Sequence, residues 1–441
     1  MDAAAGGAAG GLEVVVFPWL AFGHMIPFLE LSKRLAERGN AVTFVSTPRN
    51  LARLPPMPAH LSARLRFMPL QLPAVEGLPE GAESTADVPT DKIDLLKKAM
   101  DGLAAPLAAF LMDTVAAGRR PDWIVLDFCH NWVPPSAHRR PAQGSMRPVP
   151  DPPCRLRGLS GAALGERRAP AHGAGALHRA AQVFERCRLV ICRSCHELEP
   201  RMFALLSNLL RKPAVPSGIL LPAAPDDHRN SSSGGVDPHH VLRWLDDQPP
   251  KSVIYVALGT EAPLTLENIH ELALGLELAE VRFLWLLGKP AGSNKVAGPL
   301  PAGFEERTRA RGVVCTGWVP QMKALAHDAT GAFLTHCGWG STIESFAFGL
   351  PLVMLPFIID TPIIARSMVQ RGIGVQVARD ERDGSFNRDG VATAVRRVMS
   401  EYEGKVLATN AKKLKEVVVD EGRQEQYIHE LEEHLRRYKD V

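Results

Sequence analysis

The chain has 441 residues, a formal net charge of +3 at pH 7 and 46% hydrophobic residues. This length exceeds what one ordinary core serves and predicts two domains of about 200 residues each. The charge is nearly balanced and no basic arm occurs, so we expect no nucleic acid among the partners. Residues 1–11 lack the basic and apolar regions of a signal peptide and are predicted to be a disordered tail.

Seven cysteines occur without the regular spacing of a disulfide framework, which favours reduced thiols and a cytoplasmic protein. Cys192 and Cys195 form one C-x-x-C pair. Since no second pair exists to complete a zinc site, we interpret them as buried thiols rather than redox or metal-binding groups. We expect no metal and no other cofactor. We also expect no membrane span, because no run of about eighteen apolar residues occurs, and a monomer.

The first domain opens with a strand–helix–strand unit. LEVVVFPW at 12–19 reads as a buried strand, AFGH as a tight turn, residues 26–39 as an amphipathic helix and AVTFVSTP as a second strand. This order predicts a Rossmann-like α/β domain. Because G-x-G-x-x-G is absent, a dinucleotide cofactor is not expected here.

Two polar residues follow strands of this domain. His24 stands after the first strand, and Asp127 ends the strand-like segment PDWIVLDF. Since the carboxyl ends of parallel strands share one edge of a sheet, we expect the two side chains to meet there. A neutral imidazole held by a carboxylate is a general base near pH 7.

The pattern of the domain is interrupted at residues 134–180. This segment is mostly Pro, Arg, Ala and Gly, with neither alternation nor a helical stripe. We interpret it as a different reading frame or a mis-spliced stretch; the alternative is a long functional insertion. A strand and a helix at Met202–Leu210 follow, so we assign the N-terminal domain to 12–221 and a flexible linker to the Pro/Ser/Gly-rich residues 222–240.

The second domain, assigned to 241–420, contains the stretch that carries most of the chemistry. The strand GAFLTH ends at His336, and CGWGSTIES begins a helix in which Gly338 and Gly340 keep the turn small. The first amides of a helix bind anions, and Ser341 adds a hydroxyl. Glu344, three residues on, suits ribose hydroxyls better than phosphate.

Three motifs at 318–344, W-x-P-Q, H-C-G-W and S-x-x-E, resemble the donor-binding signature of plant UDP-dependent glycosyltransferases. The resemblance implies stacking of uracil on Trp318, nucleotide contacts from Gln321, pyrophosphate contacts from His336 and Ser341, ribose contacts from Glu344 and sugar contacts from Asp360. It also places His24 as the base and Asp127 as its partner. The donor site implied as a whole comprises Thr260, Trp318, Val319, Gln321, His336, Gly338, Trp339, Gly340, Ser341, Glu344, Asp360 and Thr361.

This sequence departs from that signature at three positions. The family usually has Asn where Gly340 stands, Gln where Thr361 stands and Asn where Ile364 stands. The change at Thr361 leaves the donor sugar open. Residues 83–85 (Glu-Ser-Thr) match a segment that lines the acceptor side in relatives; the alternative is a plain surface loop.

The resemblance implies the GT-B architecture, two Rossmann-like domains facing across a cleft, with a helix at 421–441 bracing the first domain. It implies transfer of a sugar from a UDP-sugar co-substrate to a hydroxyl of a small plant metabolite or its glycoside, with inversion. UDP-glucose is the expected donor and UDP-rhamnose the second choice. The alternative is a catalytically impaired remnant that at most binds UDP.

Overall fold

A computed structural model describes residues 10–133, 171–222, 238–259, 262–288, 299–316, 319–357 and 360–440. Thr260 and Trp318 of the predicted donor site lie outside the described residues. Also outside the described residues lie 134–170 of the Pro/Arg/Ala/Gly-rich segment and 223–237 of the predicted linker.

The N-terminal domain alternates strands and helices up to Leu126. Its elements are β1 (Glu13–Phe17), α1 (Phe22–Glu37), β2 (Ala41–Ser46), α2 (Pro48–Arg53), β3 (Leu65–Pro69), α3 (Ile93–Asp101), α4 (Ala104–Ala116) and β4 (Trp123–Leu126). Short 3-10 turns cover Ala59–Leu61, Thr85–Asp87 and Thr90–Lys92. The strands β1 and β2 are largely apolar and buried on both faces, as parallel strands covered by helices must be.

The four strands form one parallel sheet in the order β3-β2-β1-β4. The chain therefore builds outward from β1 to β3 and then returns to the other side of β1. The crevice at such a reversal lies between the carboxyl ends of the two strands on either side of it. Here those strands are β1 and β4, and the crevice is the place predicted for His24 and Asp127.

The stretch Ile93–Ala116 is long and apolar enough, by length and composition, to cross a membrane. It consists of α3 and α4, which are separated by a short turn. Leu96, Met100, Leu103 and Leu107 from this stretch pack into the core beneath the sheet. It thus forms one wall of the N-terminal domain, and the absence of a membrane span stays a prediction.

The rest of the N-terminal half consists of α5 (Ala171–Arg186), β5 (Val190–Cys192), α6 (Met202–Leu210) and β6 (Ala214–Pro216). The helix α6 has the predicted bounds. In the described residues β5 and β6 pair in parallel with each other and not with β4, so they form a separate two-stranded sheet.

The C-terminal half carries a larger sheet with helices on both faces. Its elements are α7 (Pro238–Asp246), β7 (Val253–Ala257), α8 (Leu266–Ala279), β8 (Arg282–Leu287), α9 (Phe304–Thr308), β9 (Gly312–Thr316), α10 (Gln321–Ala326), β10 (Thr330–Thr335), α11 (Trp339–Ala347), β11 (Leu352–Met354), α12 (Thr361–Gln370), β12 (Gly374–Gln376), α13 (Arg388–Met399), α14 (Tyr402–Val418) and α15 (Glu421–Tyr438).

The six strands are parallel in the order β12-β11-β10-β7-β8-β9. The reversal of strand order lies between β7 and β10, so the crevice of this domain opens beyond Ala257 and Thr335. Two buried clusters, one on each face of the sheet, form the core.

Two helices end the chain, and the second of them corresponds to the helix predicted at 421–441. The helix α14 ends at Val418, and Asp420 begins α15 by accepting a hydrogen bond from the Arg423 N–H at 3.0 Å. The helix α15 then packs on the first domain, where Leu431 and Leu435 are fully buried in the core that surrounds β1 and β2.

Candidate active site

His24 and Asp127 meet at the carboxyl edge of the N-terminal sheet. His24 lies in the first turn of α1, and Asp127 directly follows β4. The His24 Nδ1 atom lies 2.7 Å from the Asp127 Oδ2 atom. The His24 side chain keeps about a third of its surface exposed, whereas Asp127 is largely buried (35% and 10%). The imidazole is thus held by a carboxylate below it and open to the cleft above.

The Asp127 carboxylate is held in place by the backbone as well. Its Oδ2 atom accepts the Trp19 N–H at 3.1 Å and its Oδ1 atom accepts the Phe128 N–H at 2.7 Å. Burial by itself would raise the pKa of Asp127, but the charge and hydrogen bond of His24 and the Phe128 N–H outweigh it and hold the pKa at about 2. Asp127 is therefore ionised at any physiological pH.

A second histidine is bonded to the backbone of Asp127, and the sequence analysis missed it. The buried His130 ring accepts the Asp127 backbone N–H at its Nδ1 atom, 3.2 Å away, and packs edge-on against Phe17 with ring centroids 4.5 Å apart. Burial lowers the pKa of His130 to about 4, so the ring is neutral. The aromatic run that follows Asp127 in the sequence could have indicated that His130 is buried there.

His336 occupies the crevice of the C-terminal sheet. Its ring fits between two glycines: a Cβ atom on Gly259 would lie 2.8 Å from the ring Cε1, and one on Gly338 would lie 2.6 Å from Nε2. Real Cβ atoms do not approach so closely, so both positions require glycine. Burial lowers the pKa of His336 to about 4. In the described part of the chain its buried Nδ1 atom has no hydrogen-bond partner.

Three polar side chains converge at the start of α11. The Gln321 Nε2 atom donates to the Glu344 Oε2 atom at 2.7 Å and lies 3.4 Å from the Ser341 Oγ atom. Burial raises the pKa of Glu344, and the hydrogen bond from Gln321 and the charge of Arg193 oppose this shift. The structure thus brings together three of the predicted donor residues, Gln321 from the start of α10 and Ser341 and Glu344 from α11.

Other predicted donor residues face different surroundings. Val319 is buried in the C-terminal core, so only its backbone is available to a ligand. The Trp339 Nε1 atom donates to the backbone oxygen of Arg193 at 2.6 Å, which joins the two domains. Thr361 is buried, and its Oγ1 atom accepts the Phe357 N–H at 3.2 Å.

Asp360 stands immediately before α12, and its carboxyl group senses the charge of His24. Although the residue keeps solvent contact, protein around the carboxyl desolvates it and raises its pKa, and the charge of His24 opposes this shift. The two groups are therefore within electrostatic reach of each other across the cleft.

The segment at residues 83–85 is not a plain surface loop, and its place on the acceptor side stays a prediction. Ser84 and Thr85 are buried, and Ser84 forms a reciprocal cap with Asp87 around a 3-10 turn. The Thr85 N–H donates to the Leu20 backbone oxygen at 2.9 Å. The segment thereby supports the loop that leads into His24.

Arg193 is a further residue of the cleft that the sequence analysis did not select. It follows β5 within the C-x-x-C pair, and both cysteines of that pair are free thiols. Its guanidinium lies at Gly340, where a Cβ atom would stand 3.4 Å from Nη1. An arginine directly after a predicted strand could have indicated from the sequence that Arg193 lies at the edge of a sheet.

No group of three or more His, Cys, Asp or Glu side chains in the described residues has the arrangement of a metal site. This finding does not test the expected metal-free mechanism, which stays a prediction.

Family models match both halves of the chain. Residues 231–422 match the family described as UDP-glucoronosyl and UDP-glucosyl transferase, and residues 11–145 match the glycosyltransferase N-terminal domain. UDP-glycosyltransferase 91B1 of Arabidopsis thaliana is 39% identical over 94% of this chain and 95% of its own. The chain belongs to the plant UDP-glycosyltransferase family. It is therefore a transferase that uses a UDP-sugar and acts on plant metabolites.

Other plant UDP-glycosyltransferases are similar over their whole length. Soyasaponin III rhamnosyltransferase of Glycine max is 34% identical, with 97% of this chain and 96% of the relative covered. The structure of Arabidopsis thaliana UGT89C1 complexed with UDP-L-rhamnose matches with a TM-score of 0.75 at 26% identity, covering 97% of this chain and 100% of that one. Os79 of O. sativa in complex with UDP matches with a TM-score of 0.70 at 26% identity, covering 96% and 100%. These likenesses confirm the predicted GT-B fold.

Proposed function

We propose that this UDP-glycosyltransferase transfers glucose from UDP-glucose to a hydroxyl of a small plant metabolite or its glycoside, with inversion at the anomeric carbon. The contact between His24 and Asp127, 2.7 Å long and open to the cleft, is the observation that carries the proposal. We also propose the domain assignment given by the sequence, with 12–221 on the acceptor side and 241–420 on the donor side.

The reaction is a single displacement. Asp127 holds the Nδ1 proton of His24, so the lone pair of Nε2 takes the proton of the acceptor hydroxyl. The acceptor oxygen bonds to the anomeric carbon as the bond from that carbon to the UDP oxygen breaks. A UDP-α-sugar then gives a β-linked product.

The donor rests on the C-terminal crevice. The uncapped start of α11 supplies backbone amides for the diphosphate, and the neutral His336 donates a hydrogen bond to it. The carboxylate of Glu344 accepts hydrogen bonds from the ribose, and Asp360 does the same for the sugar. Thr260 and Trp318 complete the predicted set.

The donor sugar has two candidates. Glucose is favoured by the overall signature. Rhamnose is supported by the similarity to a rhamnosyltransferase and to a structure with bound UDP-L-rhamnose, together with Thr361 in place of the usual Gln.

The decisive experiment incubates the purified protein with UDP-glucose or UDP-rhamnose and a panel of flavonoid and terpenoid glycosides, and detects products by mass spectrometry. We expect glucosylation, a β-linkage by NMR, and a loss of about 10²- to 10⁴-fold in kcat for His24→Ala. His24→Ala should keep the rise in melting temperature that UDP produces.

The impaired-remnant alternative predicts a different result. In that case UDP stabilises the wild-type protein but no acceptor is glycosylated with either donor. His60→Ala, a change at another histidine of the N-terminal domain, serves as the control and should retain full turnover.

A further inference from the structure

Arg193 is fixed at the mouth of the cleft by the backbone of its own domain. Its Nε atom donates to the Ile219 backbone oxygen at 2.8 Å, and its Nη2 atom donates to the Leu220 oxygen at 3.1 Å. Two bonds on one side of a planar guanidinium fix the plane, so the remaining edge, at Nη1, has a defined direction.

That remaining edge points at the first turn of α11. A Cβ atom on Gly340 would lie 3.4 Å from Nη1, in ordinary contact, and 3.9 Å from the Gly23 backbone oxygen. Since position 340 has no side chain, nothing from that residue stands between the guanidinium and the amides at the start of the helix. The Trp339 indole N–H, bonded to the Arg193 oxygen at 2.6 Å, keeps this alignment.

Among the described residues no carboxylate is bonded directly to Arg193, although Glu344 and Glu30 lie within electrostatic range of its charge. Burial lowers its pKa to about 10, while Glu344 and Glu30 oppose the shift, so the group is charged at neutral pH. In the ranges that the structure describes, no carboxylate forms a salt bridge with Arg193 within 4.0 Å. The guanidinium is partly withdrawn from water and is bonded in the described residues to carbonyl oxygens, which do not neutralise its charge, so an anion beside it is favoured.

The start of α11 also favours an anion. No side chain caps the amides at the start of α11, which carry the positive end of the helix dipole. The half-buried guanidinium of Arg193 and this helix start therefore border the same space at Gly340, and both favour a ligand with several anionic oxygens. A diphosphate has that chemistry, and guanidinium binds it through paired hydrogen bonds.

We propose that Arg193 binds the diphosphate of the UDP-sugar from the N-terminal side of the cleft, through the opening at Gly340. The inference rests on the proposed function, since it assigns a further ligand to the same donor. Because Arg193 belongs to the first domain and α11 to the second, the diphosphate is held by both.

The test measures binding of UDP and uridine by calorimetry to the wild-type protein, Arg193→Gln and Arg193→Lys. Arg201→Gln, an exposed arginine eight positions further along the chain, is the matched control. We expect Arg193→Gln to weaken UDP binding by about ten- to a hundredfold, and to leave uridine binding within about twofold. Arg193→Lys should weaken UDP binding by about threefold or more without changing uridine binding. An ammonium keeps the positive charge but cannot form the paired hydrogen bonds of a planar guanidinium.

Equal weakening of UDP and uridine would show a purely structural role and overturn the inference, as would unchanged UDP binding. If Arg193→Gln does not fold, the contrast between UDP and uridine in Arg193→Lys decides by the same criterion. A wild-type protein that ignores UDP would instead overturn the proposed function together with this inference.

Discussion

His24 and Asp127 show how the site depends on single residues. They are 103 positions apart in the chain, yet their side chains are bonded at 2.7 Å. In the proposed reaction the carboxylate does two things at once: it orients the imidazole, and it stabilises the positive charge that forms when His24 takes a proton. Its low pKa, about 2, means that it performs both over the whole physiological range.

Asp127→Asn should therefore lower kcat by about 10²- to 10⁴-fold while UDP still stabilises the protein. Steady-state assays with a glycosylated acceptor measure this loss. Asp113→Asn, on the exposed face of α4, is the control and should behave as the wild type. Full activity of Asp127→Asn would exclude its role as the partner of His24.

The same substitution has a pH signature in stability. The folded pKa of Asp127, about 2, lies below the ordinary value of 3.8, so the ionised carboxylate stabilises the fold above pH 4 and this contribution is lost as the pH falls through 2. The shift corresponds to about 2 kcal/mol at pH 7 and about half of that at pH 3. Denaturant unfolding of wild type and Asp127→Asn should show their difference narrowing between these pH values; a constant difference would contradict the shift.

At the scale of elements, the crevice between β7 and β10 is shaped by glycine. Gly259 has a φ of +71° and borders the His336 ring, whose Cε1 atom would lie 2.8 Å from an added Cβ. The loop after β7 is thus specified by two requirements, a left-handed backbone and room for an imidazole. The second requirement comes from β10 and is invisible in the local sequence.

Gly118→Ala provides a matched control for this idea, since Gly118 also has a positive φ, +74°, but nothing within 4 Å of its added Cβ. Both substitutions should cost about 1–2 kcal/mol for the backbone conformation. Gly259→Ala should cost about 1–3 kcal/mol more, and should weaken UDP binding, because His336 must move. Thermal unfolding with and without UDP measures both effects; equal losses in the two variants would refute the contact with His336.

At the scale of the whole molecule, α15 joins the end of the chain to its beginning. The Trp123 Nε1 atom donates to the Leu435 oxygen at 2.9 Å, and Asn40 donates to Glu432 at 3.1 Å. Glu425 pairs with Arg34 of α1 and with Arg38, which directly follows that helix. The N-terminal domain therefore completes its core with residues that follow the C-terminal domain in sequence.

Leu431→Ala should destabilise the first domain by about 2–5 kcal/mol, because Leu431 is fully buried between α15 and the β1–β2 core. Hydrogen exchange should speed up in β1 and β2 rather than in β7 and β10. Leu278→Ala removes the same atoms from a site that is 46% exposed, and should change stability by less than about 0.5 kcal/mol. Faster exchange confined to the C-terminal sheet would contradict this packing.

Local sequence determined a large part of this protein. Periods of two and 3.6 residues located most strands and helices, since those periods follow from burial of one face or both. The motifs at His336, Ser341 and Glu344, together with His24, predicted the family and the fold, both of which are confirmed. The roles of the individual residues remain predictions.

Only the tertiary structure decided which distant groups meet. The pairing of β5 with β6, the buried cap at Ser84, and Trp339 bound to Arg193 join segments whose separation no local pattern records. Arg193 was overlooked because it lies inside the C-x-x-C pair, where the cysteines drew the interpretation. Its neighbours in space are Gly340 and Glu344, which belong to the other domain. The chemistry of a residue depends on such surroundings, and only the fold creates them.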